Sequence, residues 1–131
     1  MIKVSELRIG NCVYDHEGDE SKVYNVYNSG GVDLTFELVL MENINAESIS
    51  PIPLTEEWLV KFGFEKYVNS FRKGYNDLVY HFIYLKHLDS YACYIEYEDD
   101  SELYPISFNI EYVHQLQNFY FALTGEELII E

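Results

Sequence analysis

One apolar run, residues 78–86, constrains the fold more than any other segment. In an extended strand the side chains alternate between two faces. Here both faces are apolar, with Leu78, Tyr80, Phe82 and Tyr84 on one and Val79, Ile83 and Leu85 on the other. A strand that is apolar on both faces is normally covered on both sides by other elements. The run therefore predicts an interior strand of a covered sheet.

Strand-like runs flank this segment and predict an antiparallel sheet. Residues 64–71 precede it and residues 91–98 follow it, with turn-forming sequences at residues 74–77 and 87–90. Short turns of this kind join antiparallel neighbours. The run at 91–98 has one apolar face, and its other face carries carboxylates that we expect to meet water or a partner.

The first 50 residues predict a separate, small β-rich lobe. Short alternating runs are divided by polar or glycine-containing turns at residues 15–20 and 28–31, which is typical of small sheets. Pro51 and Pro53 cannot donate to a strand ladder, so we place a boundary there. We expect a β lobe at residues 1–50 and an α+β lobe at residues 51–131, packed as one compact unit.

Two helices complete the prediction. Thr55 can cap a short helix, and Gly63 is placed to end it. Residues 109–123 carry apolar side chains at helical spacing, namely Ile110, Val113, Leu116 and Tyr120, which we expect to bury against the antiparallel sheet. The tail at 128–130 is apolar and is predicted to add a short edge strand. The predicted class is α+β: a β lobe, a short helix, an antiparallel sheet and a C-terminal helix packed on it.

The cysteines and the hydropathy pattern predict a soluble protein of a reducing compartment. Cys12 and Cys93 lie far apart in the sequence, and neither belongs to a C-x-x-C pair. Each lies in an apolar run, where a free cysteine is usually a small core residue. No run has the length of a membrane span, and the N-terminus has no apolar signal segment. We therefore expect a cytoplasmic protein.

The charge of the chain limits its function. The sequence has 23 acidic and 8 basic residues, a net charge of −15 over 131 residues, and its last 45 residues hold ten carboxylates and no lysine or arginine. Neutralising phosphates requires clustered Lys and Arg, so the charge argues against direct nucleic-acid binding. It also opposes binding to an anionic membrane. Such a field attracts basic partners.

Patterns for catalysis and metal binding are weak. Asp15, Glu17 and Asp19 have the spacing that opens a calcium loop, but the sixth and twelfth loop positions are not the required Gly and Glu. A hairpin turn is the favoured interpretation. The histidines lack the i, i+4 spacing of a helical zinc site, and His81 is predicted to be a core histidine. With no nucleophile elbow and no phosphate loop, we predict no enzyme activity, cofactor or metal.

One segment joins carboxylates to tyrosines and is the predicted partner-binding site. It comprises Glu96, Glu98, Asp99, Asp100 and Glu102, with Tyr94, Tyr97 and Tyr104 nearby. Alternate carboxylates on a strand stand about 6.6 Å apart. An acidic row interleaved with rings can imitate a phosphate backbone with its bases. The alternative is that these acids only keep a sheet edge solvated.

Four segments resemble a group of small proteins of Bacteroidetes phages, prophages and mobile elements. They are ELRIGN at residues 6–11, PIPLTEEWL at 51–59, FGF at 62–64 and VHQLQNFYFALTGEEL at 113–128. The group has no established activity, so the resemblance transfers no functional residue. What it implies is a setting in the host cytoplasm, where small acidic phage proteins act as inhibitors of host enzymes. Anti-CRISPR proteins are one such class.

These observations lead to one favoured function and two alternatives. We predict a non-catalytic acidic protein that engages a basic protein surface, as a phage-encoded, nucleic-acid-mimicking inhibitor of a host nucleic-acid-processing enzyme. Its expected partner is a host nuclease or other nucleic-acid-binding protein. The first alternative is a structural or assembly module without mimicry, including a homodimer. A small enzyme ranks third.

Overall fold

The computed structural model describes residues 2–27, 29–36, 39–97 and 102–130, with the backbone alone at Phe108. The chain forms two compact units, Met1–Pro53 with Tyr112–Phe119 and Leu54–Glu111 with Tyr120–Glu131. Each unit contains one antiparallel sheet. Together with two helices, the sheets confirm the predicted α+β class.

Four strands form the sheet of the first unit. They are β1 (Cys12–Tyr14), β2 (Glu20–Val26), β3 (Gly31–Phe36) and β4 (Val39–Asn45), in that order across the sheet. Short 3₁₀ turns occur at Val4–Glu6 and Ala46–Ser48. The β-rich character expected of the N-terminal lobe is confirmed.

Alternating side chains build the core of this first sheet. Val23, Leu34 and Met41 lie opposite one another on β2, β3 and β4, and the first two are buried. The other buried members of the cluster are Ile2, Leu7, Val13, Val32 and Ile49. The period-two pattern of the strands therefore directs one face into the core.

The second unit contains a short helix and a five-stranded sheet. The elements are α1 (Glu56–Lys61), β5 (Glu65–Lys66), β6 (Phe71–Tyr75), β7 (Leu78–Leu85), β8 (Ser90–Tyr97) and β9 (Leu103–Ile110). The strands follow one another across the sheet in sequence order, and all neighbours are antiparallel. This is the predicted antiparallel sheet, with five strands where the sequence indicated three runs, at 64–71, 78–86 and 91–98.

Strand β7 occupies the centre of the sheet, as its two apolar faces predicted. On one face Tyr80 and Phe82 are buried. Phe64 packs edge-on against Phe82 with ring centres 5.2 Å apart, and Tyr120 packs against Tyr80 at 6.2 Å. On the opposite face His81 is buried, which confirms the interpretation of this residue as a core histidine.

Helix α1 forms where its capping residues predicted. The Trp58 N–H donates to Thr55 Oγ1 at 3.4 Å, and Glu56 and Glu57 lie in the first turn, where the helix dipole favours anions. Gly63 follows the helix with φ at 87°, a left-handed conformation that favours glycine. Trp58 and Leu59 are buried, so the apolar face of this short helix anchors it.

The structure corrects several predicted boundaries. The run at residues 64–71 is two short strands, because the Tyr67 N–H donates to the Ser70 carbonyl at 2.8 Å and closes a turn. Strand β6 continues through Tyr75, so the turn at 74–77 shrinks to two residues, with Asn76 at φ 54°. The tail at 128–130 forms no strand, although Leu128 is buried.

Strand β9 is the element that the sequence did not reveal. Pro105 lies inside it, and proline in a strand interior argues against a ladder position. The strand lies at the edge of the sheet, where proline is tolerated. As a result, the predicted helix at 109–123 starts later, because residues 109 and 110 belong to β9.

The C-terminal helix, α2, spans Val113–Thr124. Val113, Leu116 and Tyr120 are buried as predicted, and Ile110 is buried within β9. The helix residues Val113–Phe119 belong to the first unit, while Tyr120–Thr124 belong to the second. The apolar spacing located the helix but did not show that its first half joins the N-terminal sheet. Within the described residues, no helix has the length and apolar character needed to cross a membrane.

Candidate functional site

Polar side chains attach the first half of α2 to the rest of the first unit. The Cys12 N–H donates to Gln117 Oε1 at 2.8 Å, and Asn118 Nδ2 donates to the Glu6 carbonyl at 2.7 Å. His114 is buried with its Nε2 3.5 Å from Glu6 Oε1. Burial lowers the pKa of His114, and the Glu6 carboxylate opposes that shift. These contacts hold the polar residues on the buried face of the helix, while His114 Nδ1 is buried with no hydrogen-bond partner among the described residues.

The predicted partner-binding residues follow the hairpin of β8 and β9. Glu98, Asp99 and Asp100 lie outside the described residues. Glu102 is exposed immediately before β9. The four remaining residues, Tyr94, Glu96, Tyr97 and Tyr104, lie on the two strands, where their positions can be compared.

The strand register divides these four residues between two faces. Ile95 lies opposite Tyr104, and Glu96 lies opposite Leu103. Residues two apart share a face, so Tyr97 lies with Tyr104 on one side of the sheet, and Tyr94 lies with Glu96 on the other. The structure therefore does not bring all the predicted residues into one surface.

Tyr97 and Tyr104 form an exposed aromatic pair. Their ring centres are 5.8 Å apart at an angle of 68°. This edge-to-face arrangement is favoured between aromatic rings. Leu103 and Ile106 on β9 are also exposed, and all four side chains are between 36% and 46% accessible. We call Tyr97, Glu102, Leu103, Tyr104 and Ile106 the β9 edge.

Features of β9 protect it from pairing with a further strand. Pro105 has no N–H to offer to a ladder. The register shifts between Tyr91 and Cys93 and again between Cys93 and Tyr94, and Asn109 has φ at 65°. Bulges and proline discourage edge-to-edge association. Recognition at the β9 edge therefore falls to its side chains rather than to its backbone.

The opposite face of the same sheet carries a polar group that sequence reasoning missed. Arg72, His81 and Tyr94 lie opposite one another on β6, β7 and β8. His81 Nε2–H donates to Glu96 Oε1 at 2.8 Å. These residues are far apart in the sequence, and only the strand register places them together. One sequence feature pointed to this group: His81 is a polar residue within the otherwise apolar run at residues 78–86.

The acidic turn at residues 15–20 is a hairpin turn held by a buried carboxylate. Asp15 accepts hydrogen bonds from the Glu17 N–H at 2.8 Å, the Asp19 N–H at 3.0 Å and the Ser21 hydroxyl at 3.1 Å. Burial raises the pKa of Asp15, but these three donors outweigh it and lower the pKa below its usual value. In the described part of the chain, no three His, Cys, Asp or Glu side chains are grouped to hold a metal.

This carboxylate predicts a defined acid sensitivity. A depressed folded-state pKa stabilises the fold above the unfolded pKa of about 3.9, and that contribution is lost as the pH falls through the folded pKa. We expect Asp15→Asn to cost about 1–3 kcal/mol at pH 7 and to show a smaller loss of stability on acidification than the parent. Urea unfolding at neutral and acidic pH measures both effects, with exposed Glu17→Gln as the control. Equal pH dependence in parent and variant would contradict this role for Asp15.

Neither cysteine has the surroundings of a nucleophile. Cys93 is fully buried in β8, and burial raises the pKa of its thiol to about 12. Cys12 is also buried. Because the thiolate is the reactive form, such a thiol is inert near neutral pH. Both residues pack as the small core side chains that the sequence predicted.

Comparison with known proteins adds no identification. No family model, no curated protein and no solved structure matches this chain. Any function must therefore be argued from the residues and their geometry.

Proposed function

We propose that this chain is a non-catalytic acidic binding protein that engages a basic protein surface through the β9 edge. One observation carries the proposal. An exposed aromatic pair, Tyr97 and Tyr104, lies on an edge hairpin within a stretch of sequence that has no lysine or arginine. The same segment therefore carries tyrosine rings that can anchor a partner and a negative charge that can attract it.

The ring pair suits the centre of an interface. Tyrosine is enriched among the residues that dominate binding energy, since it buries a large apolar area and keeps a polar end. The mutual packing of Tyr97 and Tyr104 restricts both rings before a partner arrives, which reduces the entropy lost on binding. Ile106, exposed two residues beyond Tyr104 on β9, adds apolar area near the ring pair, whereas Leu103 lies opposite Glu96 on the other face of the sheet. Glu102, exposed immediately before β9, would then belong to the polar rim.

The charge selects the kind of partner. Two copies of this chain each carry −15, so pairing through their β9 edges would bring like charges together. A basic partner instead gains attraction and faster association. Proteins that hold nucleic acid present clusters of Lys and Arg for phosphate contact. We therefore propose a nucleic-acid-processing enzyme as the partner and inhibition by occupation of its phosphate-binding surface as the mechanism.

Affinity capture from host cytosol tests the proposal. Immobilised parent protein is compared with Tyr104→Ala and with Tyr24→Ala, an exposed tyrosine in β2 that serves as the control. We expect a basic protein that parent and control retain, that salt elutes and that Tyr104→Ala loses. Retention of the same proteins by all three, or capture of neutral or acidic proteins alone, would contradict the proposal.

The proposal also predicts that the purified protein has no hydrolase or nuclease activity of its own. Both cysteine thiols are buried, so neither is placed to act as a nucleophile. The sequence also has no glycine-rich loop of the kind that binds phosphate groups. The assay measures cleavage of nucleic acid and of ester substrates with and without a chelator. A reproducible activity that the chelator abolishes would show that the protein is an enzyme and not only a binder.

A further inference from the structure

Arg72 is held in an unusual way for a cation in so acidic a protein. Its guanidinium carbon lies 3.9 Å from the centre of the Tyr67 ring, and its Nε donates to Ser70 Oγ at 3.1 Å. Ser70 is itself buried. Stacking on an aromatic face and a hydrogen bond at Nε fix the plane of the guanidinium. Neither of these two contacts is a hydrogen bond of the terminal nitrogens.

These terminal nitrogens have no carboxylate partner among the described residues. Among the described residues of this unit, the ion pairs of basic side chains join Lys61 to Glu57 at 3.5 Å and Lys66 to Glu56 at 3.3 Å. Arg72 has none within 4.0 Å in the described ranges. Lys73 instead donates to the Phe62 carbonyl at 3.3 Å. Two cations are thus held by neutral groups.

Two carboxylates of the same sheet have hydrogen-bond partners other than Arg72. Glu65 lies opposite Arg72 in the strand register, but Glu65 Oε2 accepts from the Tyr67 hydroxyl at 3.3 Å. Glu96 Oε1 accepts from His81, which is only 3% exposed. His81 is therefore a positioning residue for Glu96. Each carboxylate keeps a second oxygen that these bonds do not use.

These charged side chains line one cavity. Its volume is about 380 Å³. It is lined by charged residues of both signs, Glu65, Arg72, Lys73 and Glu96, and by Gly63, Tyr67, Gly74 and Val79. In the described part of the chain, strand β5 pairs with β6 only at Phe71 and Arg72, and the next two residues of β6, Lys73 and Gly74, line the cavity. Opposite charges therefore face one cavity while the surrounding structure keeps them apart.

From this arrangement we infer a binding site for a small zwitterion of the α-amino acid class. The free end of the Arg72 fork matches a carboxylate, which it can bind through two parallel hydrogen bonds. The unused oxygens of Glu96 and Glu65 suit an ammonium group. A phosphate would be repelled by these two carboxylates, whereas a zwitterion has no net charge for the acidic field to oppose. The cavity volume accommodates one amino acid.

A titration of the parent protein with L-alanine tests the inference directly. Amide NMR spectra report which residues respond, and acetate, methylammonium and inorganic phosphate serve as partial probes. We expect saturable shifts at Arg72, Gly74, Val79 and Glu96, with L-alanine binding at least tenfold more tightly than any partial probe. Absence of saturable shifts, shifts confined to other residues, or equal binding of acetate or phosphate would each overturn the inference.

Matched variants separate the two ends of the site. Arg72→Gln and Glu96→Gln should each weaken L-alanine binding at least tenfold, while Lys86→Gln and Glu42→Gln, which are exposed and do not line the cavity, should not. Unchanged affinity in both site variants would overturn the inference. The parent titration decides the matter even if a site variant does not fold. Tyr97 and Tyr104 do not line the cavity, so this result is independent of the proposed partner binding.

Discussion

Replacing Leu116 by alanine is expected to lower the free energy of unfolding by about 2–5 kcal/mol, the usual cost of a cavity in a packed core. Leu116 is fully buried in α2, with 0% of its surface exposed. Leu116 lies in the part of α2 that belongs to the first unit. Hydrogen bonds of Gln117 and Asn118 restrict the movement of this part of the helix. The surrounding structure therefore has limited freedom to close over the lost side chain.

The same helix offers the control. Leu123 is 37% exposed, so Leu123→Ala should cost much less than Leu116→Ala. Urea unfolding of both variants and the parent gives the two differences on one scale. Equal losses for the two leucines, or a Leu116→Ala variant as stable as the parent, would show that the buried face of α2 is wrongly assigned.

Neutralising the acids that join β8 to β9 is expected to weaken partner binding at least tenfold, which corresponds to about 1.4 kcal/mol. The variant carries Glu98→Gln, Asp99→Asn, Asp100→Asn and Glu102→Gln, which preserve side-chain size and remove the negative charges. Glu96 is left intact, because its contact with His81 places it on the opposite face of the sheet. A variant with unchanged affinity would show that these acids only solvate the hairpin.

The fold could be predicted from the sequence wherever one segment carried its own signal. The two apolar faces of residues 78–85 located the central strand, and Thr55 and Gly63 located the short helix. Strand β9 was missed because its edge position is what makes Pro105 acceptable there. The sequence did not show that the first half of α2 belongs to the first unit, because apolar spacing identifies a buried face but not the element that covers it.

The candidate sites depend on strand register, which the sequence does not contain. Tyr94, Glu96 and Tyr97 are close in sequence, yet alternation alone places Tyr97 on the face opposite to the other two. The partner of Tyr97, Tyr104, is set by the pairing of β8 with β9. Similarly, Arg72 and Glu96 line one cavity only because β6, β7 and β8 are neighbours. No local pattern could have grouped them.

Titration of the captured partner at two salt concentrations tests the central claim most directly. The dissociation constant is measured for the parent, for the neutralised hairpin variant and for Tyr104→Ala. If the β9 edge engages a basic surface, the affinity of the parent falls steeply with salt, the neutralised variant shows a shallower slope, and Tyr104→Ala weakens binding with little change in slope. Equal affinities and equal salt slopes for all three proteins would contradict the claim.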